Sequence, residues 1–224
     1  MPIRLILGAS RGIGHELARQ YAAQGDRVLA TYRQEADGPA LAALGVEALR
    51  VDLLQDDCEA VLAGALKGAL IDTALIVAGV GGPQASEVIA PTREEFDAVM
   101  RTNVFVSMRL IPFLAAGRLA RGAKLAVLSS RMGSIGGASS ASWWLYRASK
   151  AALNSVLKSA SLALASQDIV CLSLHPGWVR TDMGGAGADL GVEESAASLL
   201  RVVAATNRSH NGRFLNYNGE QLEW

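Results

Sequence analysis

A tyrosine and a lysine that could move a proton, Tyr146 and Lys150, stand four residues apart in the sequence. On a helix, this spacing places the two side chains on one face. A free tyrosine hydroxyl has a pKa of about 10, and a nearby ammonium group lowers that pKa by stabilising the phenolate. The pair is therefore a candidate proton donor and acceptor, although the spacing alone is more often that of a surface helix with an incidental Tyr and Lys.

A glycine-rich turn near the N-terminus is the first element that could serve such a pair. The apolar run Ile3 to Leu7 predicts a buried strand, and a helix is predicted from about Ile13 to Gln24. Between them lies Gly8-Ala9-Ser10-Arg11-Gly12-Ile13-Gly14. Glycines let backbone N–H groups approach a phosphate, and the helix N-terminus favours an anion. The spacing Gly-x-x-x-Gly-x-Gly differs from the commoner dinucleotide fingerprint, and an ordinary glycine-rich turn is the alternative.

The end of the second predicted strand bears on which nucleotide would bind. An acidic side chain there would accept hydrogen bonds from the ribose of NAD, but the sequence has Thr31-Tyr32-Arg33 instead. Arg33, together with Arg11 in the glycine turn, suits the 2′-phosphate of NADP. We therefore expect NADP(H) to be favoured over NAD(H); the alternative is that both arginines are merely solvated.

Strands and helices alternate along the rest of the chain, which is typical of a parallel sheet. Further strands are predicted at 27–32, 46–51, 73–78, 124–128, 169–174 and 213–217, and helices at 57–70, 92–120, 142–165 and 192–206. This pattern predicts an α/β Rossmann fold: a single domain, residues 1–224, with a doubly wound parallel sheet of about seven strands and helices on both faces. Polar, glycine-rich segments at about 131–145 and 183–192 are expected to be substrate loops, and 184–190, with little to bury, is expected to be mobile.

Asn103 falls in the middle of the predicted helix 92–120, for which Thr92 and Glu95 form a capping box. Asparagine is unfavourable inside a helix. One interpretation is a local break that frees a backbone carbonyl to hold water. The other is an amide that is satisfied locally or faces solvent.

Composition excludes some functions. Lys+Arg and Asp+Glu both number 21, so the net charge is zero, which argues against a nucleic-acid or anionic-membrane surface. No apolar run was expected to reach membrane-spanning length, and no signal-peptide pattern is visible, so a cytoplasmic location is expected. Cys58 and Cys171 are expected to be buried free thiols. The histidines His15, His175 and His210 form no cluster, and no metal site is expected.

Taken together, these segments resemble the short-chain dehydrogenase/reductase family over essentially the whole chain. The shared motifs occur in order: the glycine turn, Asp52-Leu53, Ala78-Gly79, Asn103, Ser129-Ser130, Tyr146-Arg147-Ala148-Ser149-Lys150 and Pro176-Gly177-Trp178-Val179-Arg180-Thr181. The stretches Tyr146 to Asn154, Leu174 to Gly185 and Asn211 to Trp224 look most like the C-factor (CsgA-like) branch.

The resemblance implies a catalytic set. Tyr146 would be the acid/base, and Lys150 would lower its pKa while holding the nicotinamide ribose. With Lys150 and an oxidised nicotinamide nearby, the pKa of Tyr146 is expected to lie well below that of free tyrosine. Ser130 would orient the substrate carbonyl, and Asn103 would anchor a water in a proton relay. The expected cofactor-binding residues are Gly8, Ser10, Arg11, Gly12, Ile13, Gly14, Arg33, Asp52, Leu53, Ala78, Gly79, Tyr146, Lys150, Pro176, Gly177, Val179 and Thr181.

Two departures from the family pattern matter. Its usual Asn-Asn-Ala-Gly is here Ile76-Val77-Ala78-Gly79, so the ties that those asparagines make must come from elsewhere. The gap from Ser130 to Tyr146 is about three residues longer than usual for the family. Ser129 and Ser134 therefore remain alternatives to Ser130 as the catalytic serine.

The sequence thus predicts an NADP(H)-dependent oxidoreductase that transfers a hydride to or from a small carbonyl or alcohol substrate. The alternative is a nucleotide-binding signalling protein of the same fold with little turnover, against which the intact catalytic set argues. An apolar substrate pocket could be lined by Trp143, Trp144, Trp178 and Met183, although tryptophans may equally be packing. A homodimer or homotetramer that pairs through the helices at 92–120 and 142–165 is also implied by the family.

Overall fold

A single seven-stranded sheet, parallel throughout, forms the centre of the computed structural model, which describes all 224 residues. The strand order is β3-β2-β1-β4-β5-β6-β7, so the connections reverse direction between β1 and β4. Ligands bind at such a reversal, outside the carboxyl ends of the strands. The strands are β1 Ile3–Leu7, β2 Arg27–Tyr32, β3 Glu47–Arg50, β4 Ile71–Ile76, β5 Leu119–Leu128, β6 Val170–His175 and β7 Arg213–Asn216.

Helices cover both faces of the sheet. They are α1 Gly12–Ala23, α2 Gly38–Ala42, α3 Cys58–Leu66, α4 Arg93–Met100, α5 Val106–Ala115, α6 Trp144–Ala163 and α7 Val192–Ala205. One core contains Leu5 and Leu7 of β1 with side chains of α3, α5 and α6. The other contains Ile6 of the same strand with side chains of α1, α2 and α7. Successive residues of a strand point to opposite faces, so this division confirms the predicted doubly wound Rossmann fold.

The predicted boundaries needed two main corrections. The helix predicted to reach about Ala120 ends at Ala115, and β5 begins at Leu119 rather than Lys124. Gly117 has a φ of 77°, which breaks the helix and lets Leu119 pair with Ile71. A similar left-handed step at Lys67 ends α3 at Leu66, four residues earlier than predicted.

The helical stretch Arg93–Ala115 qualifies an expectation from the sequence. By length and composition alone it is apolar enough to cross a membrane, so the expectation that no segment reaches that length is too strong. Half of its apolar window is buried inside the protein. A core helix that packs on a sheet gives the same result, so the stretch is weak support for a membrane span.

Candidate active site

The tyrosine and the lysine lie on α6, whose first residue is Trp144. Tyr146 and Lys150 are both buried, and the Lys150 ammonium lies 5.6 Å from the centroid of the Tyr146 ring. Lys150 Nζ donates to the carbonyl oxygen of Leu128, at the end of β5, over 2.8 Å. The predicted pair therefore does share one helix face, and that face is directed at the carboxyl end of the central strands.

Of the three candidate serines, only Ser130 lies close enough to the Tyr146 hydroxyl to influence its pKa. Ser129 Oγ instead donates to Asn154 Oδ1 over 2.6 Å. Ser134 Oγ accepts from the N–H of Gly137 over 3.0 Å. The geometry therefore favours Ser130 as the hydroxyl that accompanies Tyr146.

Asn103 lies in a π-helical turn, Arg101–Phe105, between α4 and α5. Its side-chain amide donates to Val80 O and to Ser149 Oγ, both over 2.9 Å, and its Oδ1 accepts from Val80 N over 2.8 Å. The regular α-helix is thus interrupted at this residue by a π turn. That the interruption frees a backbone carbonyl to hold water stays a prediction. The amide is satisfied within the protein, as the other interpretation expected, and its partners hold the loop after β4 beside α6.

Gly79 marks the point where these side chains converge. A methyl group at Gly79 would lie 3.3 Å from both Asn103 Oδ1 and Lys150 Nζ. A contact of 3.3 Å is tighter than most real Cβ contacts, so even an alanine would crowd both polar groups. The lack of a side chain at Gly79 keeps the space next to the lysine open.

Burial shifts the pKa values of both members of the pair in the chain alone. Burial raises the pKa of Tyr146 to about 12, and the nearby Ser130 hydroxyl opposes this only in part. Burial also lowers the pKa of Lys150 to about 8. The expectation that Lys150 and an oxidised nicotinamide lower the pKa of Tyr146 concerns the complex and stays a prediction. In the chain alone, desolvation penalises the charged forms of both groups.

The glycine turn forms a cradle of backbone N–H groups before α1. Gly8 and Gly12 have φ values of 97° and 56°, which residues with a side chain rarely adopt. A methyl group at Gly14 would lie 2.1 Å from the carbonyl oxygen of Gly8. Thr181 lies beside this turn, with its Cγ2 3.4 Å from a methyl group placed on Gly12. Two predicted cofactor segments, distant in sequence, thus meet here.

A polar cavity of about 580 Å³ lies beyond the ends of β2 and β3. It is lined by Arg33, Gln34, Arg50, Val51, Asp52, Gln55, Asp57 and Val61. The predicted residues Arg33 and Asp52 therefore share one site. Arg11 does not line it; its guanidinium pairs with Asp182 instead.

Arg50 is a lining residue that the sequence reasoning missed. It is the last residue of β3, two residues before Asp52 of the predicted Asp52-Leu53 motif. Its position at a strand end was a usable signal, since the carboxyl ends of parallel strands meet at one edge. Arg50 also pairs with Glu35 over 3.1 Å, with both side chains largely exposed.

The segment after β6 makes more hydrogen bonds and is more buried than the sequence predicted. Arg180 N donates to Leu190 O over 2.9 Å, and Leu190 N donates to Trp178 O over 3.0 Å. The guanidinium of Arg180 donates to the carbonyl oxygens of Ala188 and Asp189. Ala188 and Leu190 are 4% and 8% exposed. The expectation that this segment has little to bury is therefore wrong at its C-terminal end.

Two of the four side chains proposed for an apolar pocket come together. The Trp143 ring lies edge-on to Tyr146, with centroids 5.7 Å apart. A methyl group at Gly81 would lie 2.6 Å from Cζ3 of Trp143 and 3.5 Å from Cγ of Met183. Trp144 and Trp178 make other contacts. Their indole N–H groups donate to Ile89 O and to Gly184 O. Trp144 and Trp178 are 37% and 54% exposed, so neither belongs to the buried core.

A buried amide, Asn154, connects the catalytic helix to the sheet. Asn154 Oδ1 accepts from the hydroxyls of Ser129 and Ser173, both over 2.6 Å, and its Nδ2 donates to Gly133 O over 3.3 Å. Asn154 thus ties α6 to the ends of β5 and β6. Its role was not recognised in the sequence, where only its place four residues after Lys150 marked the same helix face.

A doubly wound sheet with a glycine cradle and a buried Tyr-Lys-Ser group defines the class of dinucleotide-fold oxidoreductases. Comparison with known proteins agrees. The family profile described as enoyl-(acyl carrier protein) reductase matches residues 8–209. The chain belongs to the short-chain dehydrogenase/reductase family.

Three relatives illustrate the match. The C-signal protein of Myxococcus xanthus is 41% identical over 119 residues, which cover 53% of this chain and 70% of that protein. The 1-hydroxy-2-glutathionyl-2-methyl-3-butene dehydrogenase of Rhodococcus sp. (strain AD45) is 32% identical over 98% of both chains. The crystal structure of a carbonyl reductase from Pseudomonas aeruginosa PAO1 in complex with NADP covers 100% of both chains, with 39% identity and a TM-score of 0.88. The resemblance to the C-factor branch is confirmed by the first of these.

Proposed function

We propose that this protein is an NADP(H)-dependent carbonyl reductase that also oxidises the corresponding alcohol. The observation that carries the proposal is the placement of the Ser130 hydroxyl next to the buried Tyr146 phenol and the buried ammonium of Lys150. A carbonyl oxygen that gains negative charge needs a proton and hydrogen-bond donors in a water-poor site. Those two hydroxyls supply both at the carboxyl edge of the sheet.

The chain's own groups fit a dinucleotide. At Gly8 and Gly14 a side chain would collide with the backbone of Ala78 and of Gly8, so the turn is this tight only with glycine. Its backbone at the N-terminus of α1 is assigned the pyrophosphate. Lys150 has three N–H donors, of which Leu128 O accepts one, so the others suit the ribose hydroxyls. The other predicted cofactor residues, Ser10, Ile13, Leu53, Ala78, Pro176, Gly177 and Val179, lie on the same segments.

A preference for NADP(H) over NAD(H) rests mainly on Arg33. Arg33 lines the polar cavity together with Arg50 and Asp52. The guanidinium groups of Arg33 and Arg50 suit the 2′-phosphate of NADP, and the carboxylate of Asp52 suits its adenine. The NADP complex of the similar carbonyl reductase supports this assignment. Arg11 would contribute only if it left its ion pair with Asp182.

Tyr146 is assigned the proton transfer. NADPH, when bound, supplies the hydride that reduces the carbonyl carbon. With a pKa of about 12, the Tyr146 phenol is protonated at neutral pH, so it can donate its proton to the carbonyl oxygen. Ser130 donates a hydrogen bond to the same oxygen and orients it. Asn103 holds the neighbouring loop through Val80 and is assigned the water of the proton relay.

The substrate is assigned as a small apolar carbonyl compound. Trp143 lies against the ring of Tyr146 and against Gly81, beside Met183. These side chains offer an apolar wall with few hydrogen-bond donors. The loops 131–145 and 183–192, which carry Trp143 and Met183, would cover it.

The whole chain is proposed to act as one dinucleotide-binding unit in the cytoplasm, as a homodimer or homotetramer. The apolar side chains of Phe96, Phe105 and Met108 are exposed along α4 and α5, and Leu162 is exposed on α6. Exposed apolar side chains on neighbouring helices favour association. Neither nucleic acid nor membrane is proposed as a partner.

A signalling role with little turnover is the second candidate. The 41% identity to the C-signal protein favours it. The intact Tyr146, Ser130 and Lys150 favour the enzyme, because nucleotide binding alone does not need a tyrosine hydroxyl next to a serine.

The test is NADPH oxidation by the purified protein against a panel of aldehydes, ketones, quinones and an enoyl thioester. We expect turnover with at least one apolar carbonyl compound and slower turnover with NADH. Tight NADPH binding without turnover of any compound would transfer priority to the signalling role. Reduction of the enoyl thioester alone would contradict the carbonyl assignment.

A further inference from the structure

The segment after β7 folds back and reaches the loop that follows Ser130. Leu215 of β7 forms an antiparallel bridge with Gln221, and the N–H of Leu222 donates to Phe214 O over 2.8 Å. We call residues 220–224 the tail. The proposed function gives this tail no role, although its last residue lies beside the active-site loop.

The side chain of Trp224 is held by two elements of the core. Its ring stacks on Phe214, with centroids 5.5 Å apart and an interplanar angle of 29°. Lys158 Nζ lies 5.9 Å from the ring centroid, near the outer limit for a cation–π contact. Phe214 is fully buried in β7, and Lys158 belongs to α6, the helix of Tyr146 and Lys150. Trp224 is therefore fixed relative to the catalytic helix.

The carbonyl oxygen of Trp224 in turn holds the loop. It accepts from the backbone N–H groups of Ile135 and Gly136 over 3.1 and 3.2 Å. The hydroxyl of Ser134 lies 3.5 Å from it, at the limit of a hydrogen bond. Two consecutive N–H groups on one acceptor fix the backbone direction at the base of the loop.

The same loop has another anchor nearer to Ser130. A methyl group at Gly133 would lie 2.7 Å from the carbonyl carbon of Lys150, and Asn154 donates to Gly133 O. Beyond Gly136 the residues 137–141 are exposed. The segment 130–136 is thus held by α6 at one end and by Trp224 at the other.

We propose that Trp224 is a positioning residue for the Ser130 loop: its ring locks the tail onto Phe214, and its carbonyl oxygen fixes Ile135 and Gly136. This rests on the proposed function, in which the Ser130 hydroxyl must face the Tyr146 phenol. A small displacement of an orienting group costs a large factor in rate, because reacting atoms must meet at contact distance.

The test compares Trp224→Ala with Trp224→Phe and with Leu222→Ala. In Trp224→Ala we expect kcat/KM for a carbonyl substrate to fall by about tenfold or more, with the dissociation constant of NADPH unchanged. Trp224→Phe keeps an aromatic stack and should restore most of the rate. Leu222→Ala alters the same tail without touching the Trp224 contacts and should keep near wild-type turnover, measured at temperatures well below the melting point of each variant.

Amide exchange gives a readout that needs no turnover. The amides of Ile135 and Gly136 should exchange about tenfold faster or more in Trp224→Ala, and not in Leu222→Ala. Unchanged exchange in Trp224→Ala would overturn the positioning role, as would equal rate losses in Trp224→Ala and Leu222→Ala. If the wild-type protein reduces no carbonyl compound, the proposed function fails, while the exchange result still decides whether Trp224 holds the loop.

Discussion

The ammonium group of Lys150 donates a hydrogen bond to the carbonyl oxygen of Leu128 over 2.8 Å. This contact joins the middle of α6 to the last residue of β5. Ser129 and Ser130 follow Leu128 directly, so the contact also sets the distance between the lysine and the serine hydroxyls. Five predictions follow from this arrangement and its surroundings.

Stability should depend on the protonation of Lys150. Its pKa is lowered to about 8 in the folded protein from an ordinary value of 10.5. Between these values the unfolded chain binds more protons than the folded one, so the free energy of unfolding should rise with pH. We expect a rise of about 2 kcal/mol between pH 8 and pH 10. Denaturant unfolding of wild type and Lys150→Met at each pH measures it.

The difference in unfolding free energy between wild type and Lys150→Met reports on the lysine. Cys171 and Tyr146, whose pKa values are both raised to about 12, titrate in both proteins. These two groups lower the stability as pH rises above their unfolded values. A wild-type curve parallel to that of Lys150→Met across this window would show that Lys150 is not buried as described.

Tyr146→Phe should remove the proton donor and keep the ring. We expect the chemical step to slow by about a hundredfold or more, the usual scale for a positioned acid or base. NADPH affinity should barely change, because Lys150 survives. Tyr21→Phe is the matched control, since Tyr21 is equally buried but lies on α1 and contacts Arg4 instead. Full activity of Tyr146→Phe with every carbonyl substrate would remove Tyr146 from the mechanism.

Cofactor choice should depend on Arg33 more than on Arg11. Arg33→Ala should weaken NADPH binding by about tenfold, the scale of a charged hydrogen bond, and leave NADH binding nearly unchanged. Arg11→Ala should have a smaller effect, because that guanidinium is already paired with Asp182. Dissociation constants of both nucleotides for the three proteins test this. Equal affinities of the wild type for NADPH and NADH would contradict the preference.

Substrate size should be controlled from both sides of the contact between Trp143 and Gly81. Trp143→Ala opens space beside Tyr146, so kcat/KM for bulky relative to small ketones should rise by about tenfold. Gly81→Ala should shift the ratio the other way, because its methyl group would meet Cζ3 of Trp143 at 2.6 Å. Trp144→Ala is the control. If all three variants left the ratio unchanged, the wall would not contact the substrate.

Exchange in the segment 178–190 should be uneven. The amides of Arg180 and Leu190 are paired and should be protected without nucleotide, whereas those of Ala186 and Gly187 should exchange quickly. NADPH should slow exchange at Ala186 and Gly187 if the segment closes over the cofactor. Hydrogen exchange with mass spectrometry measures both. Equal protection at all four amides in the free protein would argue against a lid.

Local pattern was enough to predict most of the elements. Alternating apolar runs and helical periods predicted the strand–helix order, and the four-residue spacing of Tyr146 and Lys150 predicted their shared helix face. These features depend on the geometry of one element at a time. The Gly8 to Gly14 turn is of the same kind, since its function follows from the lack of side chains.

What only the tertiary structure decided concerns groups that come from different elements. The preference for Ser130 over Ser129 depended on the hydrogen bond that the Ser129 hydroxyl donates to Asn154. The raised pKa of Tyr146 in the chain alone could not be predicted from sequence, because burial is a sum over every neighbour. The contact of Trp224 with Ile135 spans 89 residues of chain and has no local pattern that predicts it. Sequence periodicity determines where each element lies, but the loss of water around a side chain depends on how the elements pack, and that loss sets the chemistry of this site.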